Sequence, residues 1–359
     1  MTEALLAAHA DPNAASIKLE TATHMAARSG HVDMLGMLMR AGAKVNSCFS
    51  EQGMLPIHLA AKYGHVEVLR RLIAACRHRK GHVNDLTTSK GRLPIHLATS
   101  GGSLACMRAL VVANADMDAV DTAQGWTPLM IAASLGRLDL FTWLYRSGCN
   151  INQTCQRGGT ALHKAAMKDN PDILRELVAA KANVNAQTKI GATPLYVAAE
   201  SGRRQMVQLL LQLRGDPDLT LESGVTAIFI AAQSGFIAVV QSLAKAKANV
   251  NLARRDGSTP TLITAYNGHA GCLRDLIHMR SDVNASVHPA GVTPVMVAAW
   301  KGHRECVRLL VSAKAKLDAK IQGVYASLKV PAGSTALQIA QKHRHAACVQ
   351  LLIQAMSSS

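Results

Sequence analysis

Apolar residues along the chain fall in short stripes that come in pairs. Residues 291–318 read GVTPVMVAAWKGHRECVRLLVSAKAKLD. In the first half Val295, Val297, Ala298 and Ala299 lead up to Gly302, and in the second Cys306, Val307, Leu310 and Val311 recur at spacings of three and four. Arg304, Glu305 and Arg308 face away from that second stripe, the pattern of a helix with one buried side. The Thr293 hydroxyl can accept an amide left orphaned in a first helical turn, and Pro294 stands where a missing N–H costs nothing. A residue without a Cβ at 302 can take the left-handed conformation that reverses the chain. The prediction is a helix–turn–helix pair, and neither helix can bury its stripe alone.

Copies of the same pattern supply the neighbours. TPLYVAAESGRRQMVQLLL starts at Thr193, TPLMIAASLGRLDLFTWLY at Thr127 and LPIHLAAKYGHVEVLRRLI at Leu55, with further starts at Thr21, Leu93, Thr160, Thr226, Thr259 and Thr335. From Thr127 to Thr259 each start follows the last by 33 residues. In its helix-start motif and its period the chain resembles the ankyrin repeat family. That resemblance implies an all-α fold with short β-hairpin loops, a solenoid of stacked helix–turn–helix repeats. One continuous array over residues 1–359 is expected, with an N-terminal half-repeat cap at 1–19, nine helical repeats over 20–334 and a C-terminal capping repeat and tail at 335–359. Helices spaced roughly 8–10 Å apart would give a rod or crescent on the order of 100 Å long. The match is specific for fold and almost silent on function.

Departures from the period carry the remaining information. Insertions fall near residues 77–82, a basic stretch containing His78 and His82, and near residues 320–330. Inserted loops in arrays tend to lie on one face, often the binding face, although either could be a tolerated excursion. Leu55 and Leu93 replace the capping threonine, which should weaken those helix starts by about 1 kcal/mol each. Arg344 stands in place of the turn glycine in the last repeat, within a charged run that suits a polar cap. No appended catalytic or channel domain is expected after residues 357–359.

Composition adds charge. Lys and Arg number 39 against 23 acids, a net +16 that draws anionic partners. Three Trp, five Tyr and four Phe are few, so the core must be aliphatic, and base stacking on nucleic acid has little to work with. No apolar run approaches the roughly 18 residues of a membrane span, and the start lacks a signal-type leader, so a cytoplasmic or nuclear location is expected. Cys106, Cys272, Cys306 and Cys348 share one core position of the second helix. Cys48, Cys149 and Cys155 fall in loops and Cys76 near a helix end, and no C-x-x-C pair occurs, which argues against metal or disulfide chemistry.

Histidine is the commonest candidate for chemistry. Nine of the fifteen are motif residues: His24, His58, His96 and His163 at the fourth position, and His31, His65, His269, His303 and His345 after the turn. The resemblance implies that these bond turns to neighbouring repeats. Cations around His78 and His82 oppose metal binding there. No nucleophile elbow, phosphate loop or zinc-hydrolase motif occurs, so an enzyme, a cofactor and a small-molecule substrate are not expected.

Recognition is the better-supported class. The position after the Ala-Ala pair of the first helix, concave in this family, reads Arg28, Lys62, Ser100, Ser134, Met167, Glu200, Gln233, Tyr266 and Trp300. Tyr266 and Trp300, in adjacent repeats and followed by Lys301, are either partner anchors or rings packed on aliphatic neighbours. Trp126 beside a hairpin tip is a further surface candidate, whereas Trp143 aligns with a core leucine. At the end of the second helix Gly42 and Gly148 give way in five consecutive repeats to Lys181, Arg214, Lys247, Arg280 and Lys314. Either the helix dipole favours these cations and copying of one ancestral unit repeats them, or they form a row about 10 Å apart for an acidic strip or polyanion. Family resemblance also marks Asn46, Asn84, Asn152, Asn185, Asn251 and Asn284 as loop positions open to asparaginyl hydroxylation, which turn geometry explains equally well. The expected function is a scaffold or adaptor for a protein partner, acidic in character. The alternative is binding of a polyanion, RNA or an acidic protein, through the basic row and the net positive charge, non-specific in the case of nucleic acid, and no membrane insertion is expected.

Overall fold

The structure, a computed structural model, describes residues 2–46, 53–77, 83–287, 289–323 and 330–357. Much of the 77–82 insertion, with His78 and His82, lies outside the described residues, as do Cys48 and residues 324–329 of the second insertion. The chain divides into two compact bodies, residues 1–183 and 184–359.

The first body holds α1 (Thr2–Ala7), then the pairs α2 (Ala22–Ser29) and α3 (Val32–Arg40), α4 (Pro56–Tyr63) and α5 (Val66–Arg77), α6 (Pro94–Gly101) and α7 (Leu104–Val112), α8 (Pro128–Leu135) and α9 (Leu138–Arg146), and α10 (Ala161–Lys168) and α11 (Pro171–Ala179). The second holds α12 (Pro194–Glu200) and α13 (Arg204–Gln212), α14 (Ala227–Gln233) and α15 (Ile237–Lys245), α16 (Pro260–Asn267) and α17 (Ala270–His278), α18 (Pro294–Lys301) and α19 (Arg304–Ser312), and α20 (Ala336–Lys342) and α21 (Ala346–Ser357). In each body first helices pack on first helices, as α2 on α4 and α16 on α18, and second helices on second helices, as α3 on α5 and α17 on α19. α1 packs on α3 in the manner of a second helix.

The loops are leaner than hairpins. Among the described residues β-pairing is confined to two isolated bridges, Ala15 with Thr21 and Val287 with Val292. Other tips close by a pair of backbone bonds, such as Leu221 N–H to the Val225 carbonyl and Gly224 N–H to the Leu221 carbonyl, both at 2.9 Å. Neighbouring tips are then tied together, as Glu222 N–H is to the Ile190 carbonyl at 3.0 Å.

Helix starts use two kinds of acceptor. Thr127, Thr193, Thr226 and Thr259 accept the amide three residues on with their hydroxyls, for example from Met130 at 3.2 Å. Thr293 departs from expectation. Its buried hydroxyl makes no hydrogen bond, and its amide points at Met296 Sδ at 3.5 Å. Where histidine holds the fourth position, its Nδ1 accepts the amide that opens the helix, from Thr21 (3.2 Å), Leu55 (2.9 Å), Leu93 (3.0 Å) and Thr160 (3.1 Å). Nε2 then donates to a carbonyl of the next repeat, Met54 from His24, Leu86 from His58, and Ala119 and Trp126 from His96. In the last repeat Gln338 Oε1 takes the acceptor role for Thr335 N–H at 2.9 Å.

The expected weakness at Leu55 and Leu93 is offset. Each keeps its amide bonded to histidine and buries its side chain, which at Leu55 is 1% exposed. Hydrophobic burial of a leucine is worth roughly 1.5–3 kcal/mol, more than the cap it replaces.

Residues after the turn bond backwards. His65 donates to the Arg28 carbonyl, His269 to Gln233, His303 to Tyr266 and His345 to Trp300, at 2.9 to 3.1 Å. This confirms the role that family resemblance implied for them. Each ring lies against a turn glycine: a Cβ on Gly302, at φ +74°, would come within 2.6 Å of His345 Nδ1. Loop Asn and Asp side chains add a third tie. Asn84 accepts from Asp116 N–H, Asn185 from Asp216, Asn251 from Asp282 and Asn284 from Lys316, at 2.8 to 2.9 Å.

Two measurements check this account. Leu55→Thr restores the capping hydroxyl yet should destabilise by about 1–2 kcal/mol in urea melts, because the lost burial outweighs the cap. The second is a pH series. Burial pushes His58 down to about 4, against the opposing pull of the Leu86 carbonyl, and lowers His96 in the same way. Below about pH 6.5 the unfolded chain takes up protons that these buried rings refuse. Stability should therefore be full at pH 7 and fall as pH drops toward 4, by about 3 kcal/mol from His58 alone. His58→Gln, which copies the acceptor geometry of Gln338, should flatten the slope.

Candidate functional site

Tyr266 and Trp300 are the last residues but one of α16 and α18, at the same position of adjacent repeats, and the packing of these two helices brings the rings together. Their centroids lie 5.6 Å apart with the planes at 62°, the edge-to-face arrangement that the ring quadrupoles favour. Lys301 Nζ sits 4.6 Å from the Tyr266 ring centre and 4.3 Å from that of Trp300. An exposed cation over a ring is worth about 0.5–1 kcal/mol. The backbone beneath is pinned, since the Tyr266 and Trp300 carbonyls accept from His303 and His345.

The two readings of these rings prove compatible. Both are half-buried and lean on the core cluster formed by residues such as Val297, Ala299, Cys306 and Ile339. Each keeps part of its surface open, and Lys301 beside them is exposed, with no carboxylate partner among the described residues. Pinned aromatics next to an unpaired cation can anchor a partner non-covalently.

Sequence reasoning missed the next member of the cluster. His343 stands 6.3 Å from the Trp300 ring and stacks on His345 at 6.4 Å. Counting from the helix-start Thr335 would have found it, because His343 falls in register with Lys301 and Lys342 with Trp300.

Trp126 belongs to the first body. Its amide donates to Asp121 Oδ1, its carbonyl accepts from His96, and Lys164 Nζ covers the ring at 4.1 Å. Burial lowers the Lys164 ammonium below lysine's ordinary range, against the pull of Asp121. Trp143 is half-buried, not central, since Leu140, Phe141 and Leu144 take the core places on α9.

The five helix-end cations adopt the conformation that glycine would hold freely. Lys181, Arg214, Lys247, Arg280 and Lys314 have φ of 65°, 66°, 60°, 61° and 61°, and all five are exposed. The following amide closes each helix end, as Ala315 N–H does on the Leu310 carbonyl at 3.0 Å. Left-handed strain costs roughly 1–2 kcal/mol per residue, while a cation near helix carbonyls recovers only about 0.3–1. Helix-end electrostatics therefore does not by itself account for them. Asp169, with φ 64°, is a further left-handed residue that the turn-glycine pattern did not flag.

The described cysteines are free and buried, and burial pushes thiols such as Cys149 and Cys306 up to about 12. Among the described residues no group of three or more His, Cys, Asp or Glu could hold a metal ion, and no helix is long and apolar enough to cross a membrane.

The comparisons agree with the geometry. A family profile described as ankyrin repeats in three copies matches residues 1–85, 75–155, 136–221, 205–287 and 228–322. The chain belongs to the ankyrin repeat family. Among solved structures, the human ASB11 ankyrin repeat domain is similar to it, with a TM-score of 0.56 and 25% identity over 63% of this chain and 98% of that one. A search of curated proteins finds no match. Ankyrin repeats are in general protein–protein interaction modules, typically without enzymatic activity.

Half-burial sets the expected stabilities. Trp300→Ala should cost about 2 kcal/mol in urea melts, below the 3–5 of a fully buried tryptophan, and Lys301→Ala under about 1.

Proposed function

We propose that this ankyrin-repeat chain is a non-enzymatic scaffold or adaptor that recognises a partner protein through the face formed by its first-helix ends, concave in this family, and through its hairpin loops. The observation that carries this reading is the Tyr266–Trp300 pair under Lys301, two half-exposed rings on pinned backbone with an unpaired cation. Aromatic residues with a neighbouring cation are the usual energetic centres of interfaces. Lys301 favours an acidic group on the partner, in keeping with the net charge of +16. The family's general role supports the same class of function.

The test is a pull-down from nuclease-treated lysate at near-physiological salt, comparing wild type with Tyr266→Ala and with Lys301→Glu. Both variants keep Trp300; Tyr266→Ala should cost about 1–2 kcal/mol, as expected of a half-buried ring, and Lys301→Glu under about 1, and a melt checks that each remains folded. The reading stands if a set of proteins held by wild type is lost about tenfold or more with each variant. Retention that ignores both substitutions would reject this face as the binding surface.

A further inference from the structure

We propose that Arg214, Lys247, Arg280 and Lys314, on the second body, form a docking track for an extended acidic polypeptide segment that carries a carboxylate at every third residue. They stand at the same place just after α13, α15, α17 and α19, and these helices pack one on the next. Neighbouring helices lie roughly 8–10 Å apart, so the cations repeat at about 10 Å. An extended or polyproline-like chain advances about 3.1–3.4 Å per residue, so three residues cover one step. In the polyproline form three residues also make one turn, which brings every third side chain to the same side.

The cations are available for such a partner. All four are exposed, and none has a carboxylate partner among the described residues. Nearby acids are turned to loop amides instead: Asp216 accepts from Asp218 N–H, Asp218 from Asn249 N–H and Asp282 from Asn284 N–H. Their backbones are left-handed, a conformation in which glycine would be unstrained, and helix-end attraction does not outweigh that strain. Helix-end attraction alone therefore does not account for a cation at this place in four successive repeats. Lys316, exposed two residues after Lys314, extends the same charge.

Spacing separates this partner from nucleic acid. One strand of a duplex advances about 3.4 Å per phosphate, three charges for each step of the track, whereas the acidic segment offers one. The track shares no residue with the Tyr266–Trp300 face, so it stands or falls separately from the function proposed above.

The experiment measures binding of the full chain to three labelled probes by fluorescence anisotropy over a salt series. The probes are a peptide of repeated Glu-Pro-Pro triplets, a peptide of equal charge with its glutamates in one block, and an oligouridylate. The expected result is salt-dependent binding to the triplet peptide, in preference to the other two. The variant Arg214→Gly/Lys247→Gly/Arg280→Gly/Lys314→Gly should lose about tenfold or more while melting at the same or a higher temperature. Exchanging Arg and Lys at the four sites should leave binding intact. The charge reversal Lys247→Glu/Arg280→Glu reads the same loss without relying on glycine. Absence of triplet-peptide binding, equal binding by the glycine and reversal variants, or preference for the oligouridylate that these variants abolish would each overturn the proposal.

Discussion

In His24, His58 and His96 one ring nitrogen accepts the amide that opens its own helix, while the other donates to a carbonyl in the next repeat. The same neutral imidazole therefore fixes a local start and a long-range contact, and neither can be lost without the other. A buried donor or acceptor left without its partner costs about 1–3 kcal/mol, so the double use makes this position intolerant of simple truncation. Residues after the turn repeat the logic in the opposite direction, bonding back to the helix end of the preceding repeat. Between these bonds the core is filled mainly by Ala, Val, Leu and Ile, with Phe141 and Phe229 and with Cys106, Cys272, Cys306 and Cys348, all buried.

The candidate site depends on this frame. Tyr266 and Trp300 hold positions that in other repeats carry Glu200 or Gln233, and the bonds from His303 and His345 to their carbonyls fix the backbone whatever side chain it bears. The side chains at this place can therefore change without disturbing the element that carries them, whose geometry is set elsewhere. The helix-end cations likewise sit on backbone whose turn is closed by main-chain bonds.

Features set by spacing along the chain were legible in the sequence. Thr127, Thr193, Thr226 and Thr259 start helices through their hydroxyls, and the turn histidines bond where family resemblance put them. What depends on side-chain orientation was not legible. Nothing in the order Thr293-Pro294-Val295-Met296 says that the hydroxyl goes unbonded, or that Lys301 covers both rings. Leu55 read as a missing cap because its burial against the neighbouring repeat is a three-dimensional fact. Leu144, one residue beyond Trp143, holds the core-leucine place on α9, with Leu140 and Phe141 buried beside it. His343 escaped notice because the last repeat lacks the turn glycine that marks register elsewhere.

The loop ties between Asn84 and Asp116, Asn185 and Asp216, Asn251 and Asp282, and Asn284 and Lys316 all run one way, from a side-chain oxygen on one repeat to a main-chain amide on the next. Because the donor is backbone, the junction makes no demand on the identity of the incoming residue, which is Asp in three cases and Lys in the fourth. Such junctions are interchangeable couplings. A whole repeat can be duplicated or lost in the gene and the new neighbours will still join, so the length of the array and the mosaic on its surface are free to evolve while the chemistry of stacking stays the same.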